Sequence, residues 1–310
     1  MRHRIDLPPQ LGQAFGLPDA AAVGVGRWRR DTPDLERPFR GVRATSKPET
    51  FAEIVACYGA RLRSNQRYVG RTAVRIWGIP HHEQWRLSEF LEIAVPRGAT
   101  PPKTKGVRGR RLVTHRATTY TVGDARVVDP IAAILTCAKD LTVDQAVIMI
   151  DAIVTTADNY PGLLPVGGRP RITLSDIEAR LAEWGAFSGH RTIRSAFPLA
   201  RDRVESPKET ETRLMLIHAG LPEPVVQHEV REGQWLLARV DLAYPDLKIA
   251  IEYEGDGHRT GKDQWRADIR RQRDLEDRGW IVIRLTQYDL GAGAAALISR
   301  IRRAIAARSH

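Results

Sequence analysis

The stretch Val240 to Gly255, VDLAYPDLKIAIEYEG, constrains this chain more than any other. Read at a period of two, Leu247, Ile249, Ile251 and Tyr253 occupy one face of a strand, and Lys248, Ala250, Glu252 and Glu254 occupy the other. Val240 and Leu242 alternate with Asp241 just before it, and Pro245-Asp246 between the two runs is a turn signal. A tight turn there predicts an antiparallel pair, 236–243 with 247–254, that sets Asp241 opposite Glu252 with Cβ atoms about 5 Å apart. Asp241, Glu252 and Glu254 then share one side of the sheet. Like charges so close destabilise a strand pair unless a cation lies among them. Oxygen-only ligands on a sheet suit a hard divalent ion, Mg2+ or Mn2+. The pattern predicts a metal site, and a catalytic one; the plainer alternative is a solvated acidic face that binds nothing.

Charge bears on what such a site would act upon. The 310 residues carry a formal net charge of +11 and a pI near 10.1, which favours a polyanionic partner, nucleic acid first among them. Cys57 and Cys137 lie too far apart for metal-ligand spacing or a disulfide framework. No apolar run reaches the roughly 20 residues that span a bilayer, and no signal-peptide core opens the chain, so a cytoplasmic location is expected.

The length allows more than one domain. Residues 1–45 read as a degenerate winged-helix unit: a helix at Ala20 to Val23, a turn at Gly24, a second helix from Trp28, and a strand or wing from Pro38 to Arg43. Residues 46–200 read as a helix-rich α+β region with connector, with helices over Pro48 to Gly59, Thr142 to Ala157 and Leu174 to Trp184 and a strand near Glu89 to Pro96. Seven Lys or Arg and no acidic residue lie between Arg97 and Arg116. Arg108, Arg110 and Arg111 among them would contact phosphates without reading bases, unless the run is a solvated basic loop.

From Glu205 the order reads helix, strand, strand, helix, strand, helix. Ser206-Pro-Lys-Glu209 has the pattern of a capping box, which explains Glu209 structurally. Glu209 would equally reach the carboxylates as a further ligand or orienter. The helix from Lys262 to Arg278 carries Arg266, Arg270, Arg271 and Arg273, which would offset the repulsion between acidic residues and DNA.

At these residues the chain resembles a known family. SPKETETRL, AGLPEP, VDLAYPD, the IEYEGDGH run, Asp268-Ile-Arg-Arg271 and GWIVIRLT resemble the very-short-patch-repair-like endonucleases of the PD-(D/E)xK restriction-endonuclease-like fold, over residues 205 to 290. The resemblance implies metal-binding and catalytic roles for Asp241, Glu252 and Glu254, and further site roles for Glu209, His258, Asp268 and Arg271. Where the general pattern has Lys this chain has Glu254, so the resemblance leaves proton handling to His258, histidine being the residue type whose ordinary titration lies near neutral pH. Upstream, VGRTAVRIWGIP and EIAVPRG resemble AbiEi-type abortive-infection antitoxins, in motifs that mostly encode packing.

The expected fold is α/β, α+β overall, with a restriction-endonuclease-like mixed sheet flanked by helices over 205–310. The expected function is metal-dependent DNA endonuclease, by strand nicking, with a DNA-binding N-terminal region. The rival is a non-enzymatic, antitoxin-like DNA-binding regulator that uses the nuclease fold as a scaffold.

Overall fold

The computed structural model describes residues 6–255 and 262–309. They form an α+β fold with mixed sheets. The chain divides into two compact units, Met1–Leu141 with Ile177–His190, and Thr142–Asp176 with Arg191–His310. The 46–200 span read from sequence is therefore shared between both units.

In the first unit, β1 (Ala14–Gly16) and β2 (Val42–Ala44) pair antiparallel around α1 (Leu17–Ala22) and α2 (Arg27–Arg30). The predicted helix, turn and second helix are present, with Gly24 at φ +81. α2, however, stops after one turn. Arg29 is buried and donates to Thr32 Oγ1 at 2.7 Å and Asp34 Oδ1 at 3.2 Å, while Arg30 donates to the Leu17 carbonyl at 2.9 Å. These arginines brace the unit itself.

α3 (Phe51–Gly59) starts at a full capping box formed by Thr50 and Glu53. A five-stranded sheet follows from β3 (Arg67–Tyr68), β4 (Leu91–Val95), β5 (Val107–Arg111), β6 (Thr119–Val122) and β7 (Ala125–Val128), in the order β5-β4-β3-β7-β6. It packs with α4 (Gly70–Trp77) and α5 (Pro130–Cys137), burying Tyr68, Trp77, Ile93, Val127 and Ile134.

The basic segment is not the loop that its charge suggested. β5 runs through its centre as an edge strand, paired parallel to β4. Arg110 is committed to structure: it donates to the Thr136 carbonyl at 2.6 Å and ion-pairs with the buried Glu92. Arg108 and Arg111 are exposed, Arg108 over the Phe90 ring and Arg111 on the Ala99 carbonyl at 3.2 Å. Charged residues on an exposed edge also discourage strand addition. Segments 69–80 and 92–98 meet here, because Glu92 lies against Gly70 at the start of α4. A Cβ on Gly70, whose φ is +56, would come within 2.2 Å of Glu92 Oε2.

α6 (Val143–Val154), capped by Thr142 and Gln145, and α7 (Leu174–Trp184) appear where the periodicity put them. The predicted connector after Gly189 is instead a helix, α8 (His190–Ala196). The second unit continues with α9 (Pro207–His218), β8 (Val225–Glu232), β9 (Trp235–Tyr244), β10 (Ile249–Tyr253), α10 (Lys262–Asp277), β11 (Ile281–Leu285) and α11 (Ala294–Ala306).

The sheet order is β11-β10-β9-β8, with β10 parallel to β11 and antiparallel to β9. β9 and β10 form the predicted antiparallel pair, but β10 is shorter than the expected 247–254: Leu247 belongs to the turn and Glu254 lies beyond the strand's end. β8 is an additional strand: its alternation is broken by Gln227, at φ +48, and by a register shift between Val230 and Arg231. One sheet face buries Leu242, Ile249, Ile251, Ile283 and Leu285 with Leu216 of α9 and Leu297 and Ile301 of α11. Ala243, Ala250, Val240 and Trp280 cluster with Leu275 of α10.

α6 and α9 are tied by a buried ion pair, Asp151 Oδ2 to Arg213 Nη2 at 2.9 Å, with both side chains 0% exposed. Asp151 also accepts from the Arg201 backbone N–H at 2.7 Å and Thr210 Oγ1 at 2.9 Å. Arg213 Nη1 continues to Glu223 at 2.9 Å. Among the described residues, no helix is long and apolar enough to cross a membrane.

Candidate functional site

The β9–β10 ladder pairs Leu242 with Ile251, and the same register one step on sets Asp241 opposite Glu252. The turn that fixes this register is the predicted one: Pro245–Leu247 forms a single 3-10 turn closed by Lys248 in the left-handed region. Beyond the last ladder pair, the Tyr253 N–H donates to Asp241 Oδ2 at 2.9 Å. Asp241 keeps some exposed surface but lies deep among protein atoms. Burial is the first cause that pushes its carboxyl up to about 7, and the Glu209 and Glu252 charges push the same way. The Tyr253 N–H and Arg271 oppose them.

Glu252 is 7% exposed. Its Oε2 lies 3.4 Å from Arg271 Nη2 of α10 and 3.9 Å from Arg284 Nε of β11. Its Oε1 is buried and has no hydrogen-bond partner among the described residues. Burial raises its carboxyl, with Arg271 and then Arg284 pulling down and Asp268 and Glu254 pushing up. Glu254 accepts from Arg284 Nη1 at 2.6 Å. Arg284 thus reaches both Glu252 and Glu254, as expected of alternate residues on one strand face.

Glu209 takes part in the cap of α9, though not as a full capping box. Its N–H donates to Ser206 Oγ at 3.2 Å, completing the cap. The reciprocal bond goes to Glu205 rather than Ser206: Oε2 accepts the Glu205 N–H at 3.0 Å and Gln227 Nε2 at 2.8 Å. The side chain is buried, which raises its carboxyl, and of the charged groups around Asp241 its charge is the largest influence. Gln227 escaped the sequence reading. It stands in the left-handed region, buried, opposite Asp241 by the β8–β9 register. Its one sequence signal is a polar residue amid Val225, Val226 and Val230.

Glu209→Gln tests that electrostatic link. Gln keeps an oxygen that accepts from Glu205 and Gln227, so the fold should persist. The Asp241 pKa should fall, because its largest like-charge neighbour has gone. Carboxyl titration by NMR reads this directly; an unmoved Asp241 would rule out the coupling.

Of the four predicted arginines of α10, Arg266, Arg270 and Arg273 are exposed. Arg271 turns instead to Glu252 and, at 3.5 Å, to the Arg239 carbonyl. His258 lies outside the described residues.

Carboxylate oxygens are the donor type that suits a hard divalent ion, and Glu252 Oε1 is buried without a hydrogen-bond partner among the described residues. The carboxylates are nonetheless spread over separate hydrogen-bonding partners. Among the described residues, the three ligand residues whose atoms lie within 4.8 Å of one another are His81, His82 and Glu83. There Glu83 already pairs with Arg71 at 2.8 Å, and burial depresses His81 to about 4.

No family model matches the chain. An uncharacterized protein of Mycobacterium tuberculosis, found in two strains, is 33% identical over 133 residues, 43% of this chain. This chain spans about half the length of the curated relatives it matches, 49%. The crystal structure of the RV2827C protein from Mycobacterium tuberculosis aligns with a TM-score of 0.37 at 13% identity, over 71% of this chain and 84% of that one.

Proposed function

We propose that the chain is a metal-dependent DNA endonuclease that nicks one strand, with its second unit as a PD-(D/E)xK-type catalytic domain. The observation that supports this reading is the buried Glu252 Oε1, which has no hydrogen-bond partner among the described residues, on the strand that faces Asp241, whose carboxyl feels the Glu209 and Glu252 charges. Acids whose carboxyls are raised by burial and by one another are a common feature of functional sites. Asp241, Glu252 and Glu254 are the residues that would hold Mg2+ or Mn2+. When bound, such an ion supplies Lewis-acid polarisation of a phosphate and a more acidic water.

The chain's own residues supply the rest. The Tyr253 N–H holds Asp241 Oδ2, and the Glu209 charge, held by the Glu205 N–H and Gln227, bears on it electrostatically. Exposed Arg266, Arg270 and Arg273 offset its negative charge toward a phosphodiester backbone. In the hydrolysis a water oxygen bonds to phosphorus as the bond to the leaving oxygen breaks. The water's proton passes to a base of near-neutral pKa, the role for which His258 is the residue type. The leaving oxygen takes a proton in turn.

The test is nicking of supercoiled plasmid by the full chain with and without Mg2+ or Mn2+. Arginine pairing of Glu252 and Glu254 favours a second reading, a DNA-binding regulator on a nuclease scaffold. Folded protein that binds DNA and never nicks under either metal would decide for it.

DNA binding by the basic edge has its own expected result. Arg108→Gln with Arg111→Gln should weaken binding about equally across sequences. It should also reduce the salt slope of log affinity by about 0.9 per lost phosphate contact. Arg110 is excluded because its removal would strand Glu92. An unchanged slope, measured by fluorescence anisotropy from low to high salt, would return β5 to the role of a solvated edge.

A further inference from the structure

Residues 78–90 join α4 to β4 without a helix or strand of their own. Ordered loops of more than about 12 residues are uncommon in compact domains and usually carry a function. Two arginines of α4 grip this one. Arg71 Nη1 donates to Glu83 Oε2 at 2.8 Å, and Arg75 Nη2 donates to the Glu83 carbonyl at 3.0 Å. Trp85, edge-on to Phe51 of α3 with ring centroids 6.0 Å apart, ties down the next stretch.

Held this way, the loop brings three ligand-bearing side chains together. One ligand atom from each of His81, His82 and Glu83 lies within 4.8 Å of the other two. The two imidazole rings stack with centroids 4.4 Å apart and an interplanar angle of 23°. Arg71 takes Glu83 Oε2, whereas Oε1 lies 3.8 Å from His82 Nε2. That is already the spacing of two ligands around one ion with bonds of about 2.0–2.2 Å. His81 Nδ1 meets the Glu83 main chain, 3.3 Å from its carbonyl oxygen and 3.1 Å from its nitrogen. With the Nδ1 proton on that carbonyl, the ring is fixed and Nε2 is left for a ligand, the usual support of a metal-binding histidine. His82 and Glu83 are exposed, so an ion has entry from solvent.

We propose that His81, His82 and Glu83 bind one divalent transition ion of the Zn2+ class, which fastens the 78–90 loop. The site stands apart from the endonuclease reading and differs in chemistry from the carboxylates of the second unit. Two imidazoles with a single carboxylate select Zn2+ or Co2+ over Mg2+, and three protein ligands leave a fourth position for water. Arg71 and Arg75 repel an ion, but each faces a carboxylate, Glu83 or Glu89 at 2.8 Å, that offsets its charge.

The full chain is titrated with Zn2+ by calorimetry in excess Mg2+, and with Co2+ by its visible absorption, beside His82→Ala, Glu83→Gln and His218→Ala. Wild type should bind Zn2+ in the presence of Mg2+ and give the intense Co2+ bands of a site below six-coordinate. His82→Ala should lower Zn2+ affinity at least about 10²-fold, since losing a ligand costs more than losing an outer partner. Glu83→Gln keeps an oxygen for Arg71 while removing the ligand charge, so it too should bind weakly with the fold intact, as circular dichroism checks. His218, exposed and paired with Asp144 at 2.9 Å, is the control, and His218→Ala should bind as wild type does. Equal Zn2+ affinity in wild type, His82→Ala and Glu83→Gln overturns the proposal. So does a loss confined to His218→Ala, binding that Mg2+ displaces, or wild type that binds no Zn2+.

Discussion

Asp241→Asn is expected to make the metal-free protein more stable above pH 7 and, in the same step, to abolish the manganese binding and cleavage proposed for it. The two effects have one cause. An unfolded Asp titrates at the ordinary 3.8, whereas burial and then the Glu209 charge push Asp241 up to about 7 in the folded chain. Between those pH values the folded state holds a proton that the unfolded state has released. Stability is therefore fully present below the lower value, falls as pH rises through the window, by at most about 1.4 kcal/mol per pH unit, and levels off above the upper one. Asn binds no proton, so this slope disappears, while its side-chain oxygen still accepts the Tyr253 N–H. With Mn2+ present the order should reverse, because only wild type gains stability by binding the ion. Urea denaturation at pH 5 and pH 8, with and without Mn2+, gives all four values. A variant less stable than wild type at pH 8 without metal would mean that the Asp241 carboxylate is satisfied by the fold, and the metal site would lose its electrostatic basis.

Arg213→Met is expected to have the largest effect on the second unit. Asp151 and Arg213 are both fully enclosed, so removing the arginine leaves a carboxylate with neither water nor counter-charge. Breaking such a pair from one side destabilises by about 3–5 kcal/mol, a large share of the stability of a domain. Burial pushes Asp151 up to about 6 and Arg213 pulls it down, so without the arginine the group should take up a proton near neutral pH. The loss should accordingly be smaller at pH 5 than at pH 8. Adding Asp151→Leu to Arg213→Met should recover much of it, since an apolar pair leaves no orphaned charge. Denaturant unfolding followed by tryptophan fluorescence measures each variant; a single mutant within about 1 kcal/mol of wild type would show that water reaches the pair.

The strand pair was largely legible in the chain. A period of two and one Pro-Asp turn are enough to assign Asp241 and Glu252 to neighbouring strands, with Glu254 just past the end of the second, because register follows from alternation and turn length. The helices α3, α6, α7 and α9 were legible for a similar reason. Each has its apolar spacing or its capping residue within a few positions of its start. Strand β8 was not, since its pattern is broken at Gln227 and again at a bulge.

What the tertiary structure alone decided is which cation meets which carboxylate. Arg110, Arg271 and Arg284 are indistinguishable by residue type from Arg108, Arg270 and Arg273, yet the first three pair with buried or clustered carboxylates, Glu92, Glu252 and Glu254. Glu252 and Arg284 stand 32 positions apart and become neighbours only because β11 returns parallel to β10 after a helix. Charge, alternation and turns are local quantities that the sequence carries outright. Partnership and desolvation depend on residues brought together from a distance, and those exist only once the chain has folded.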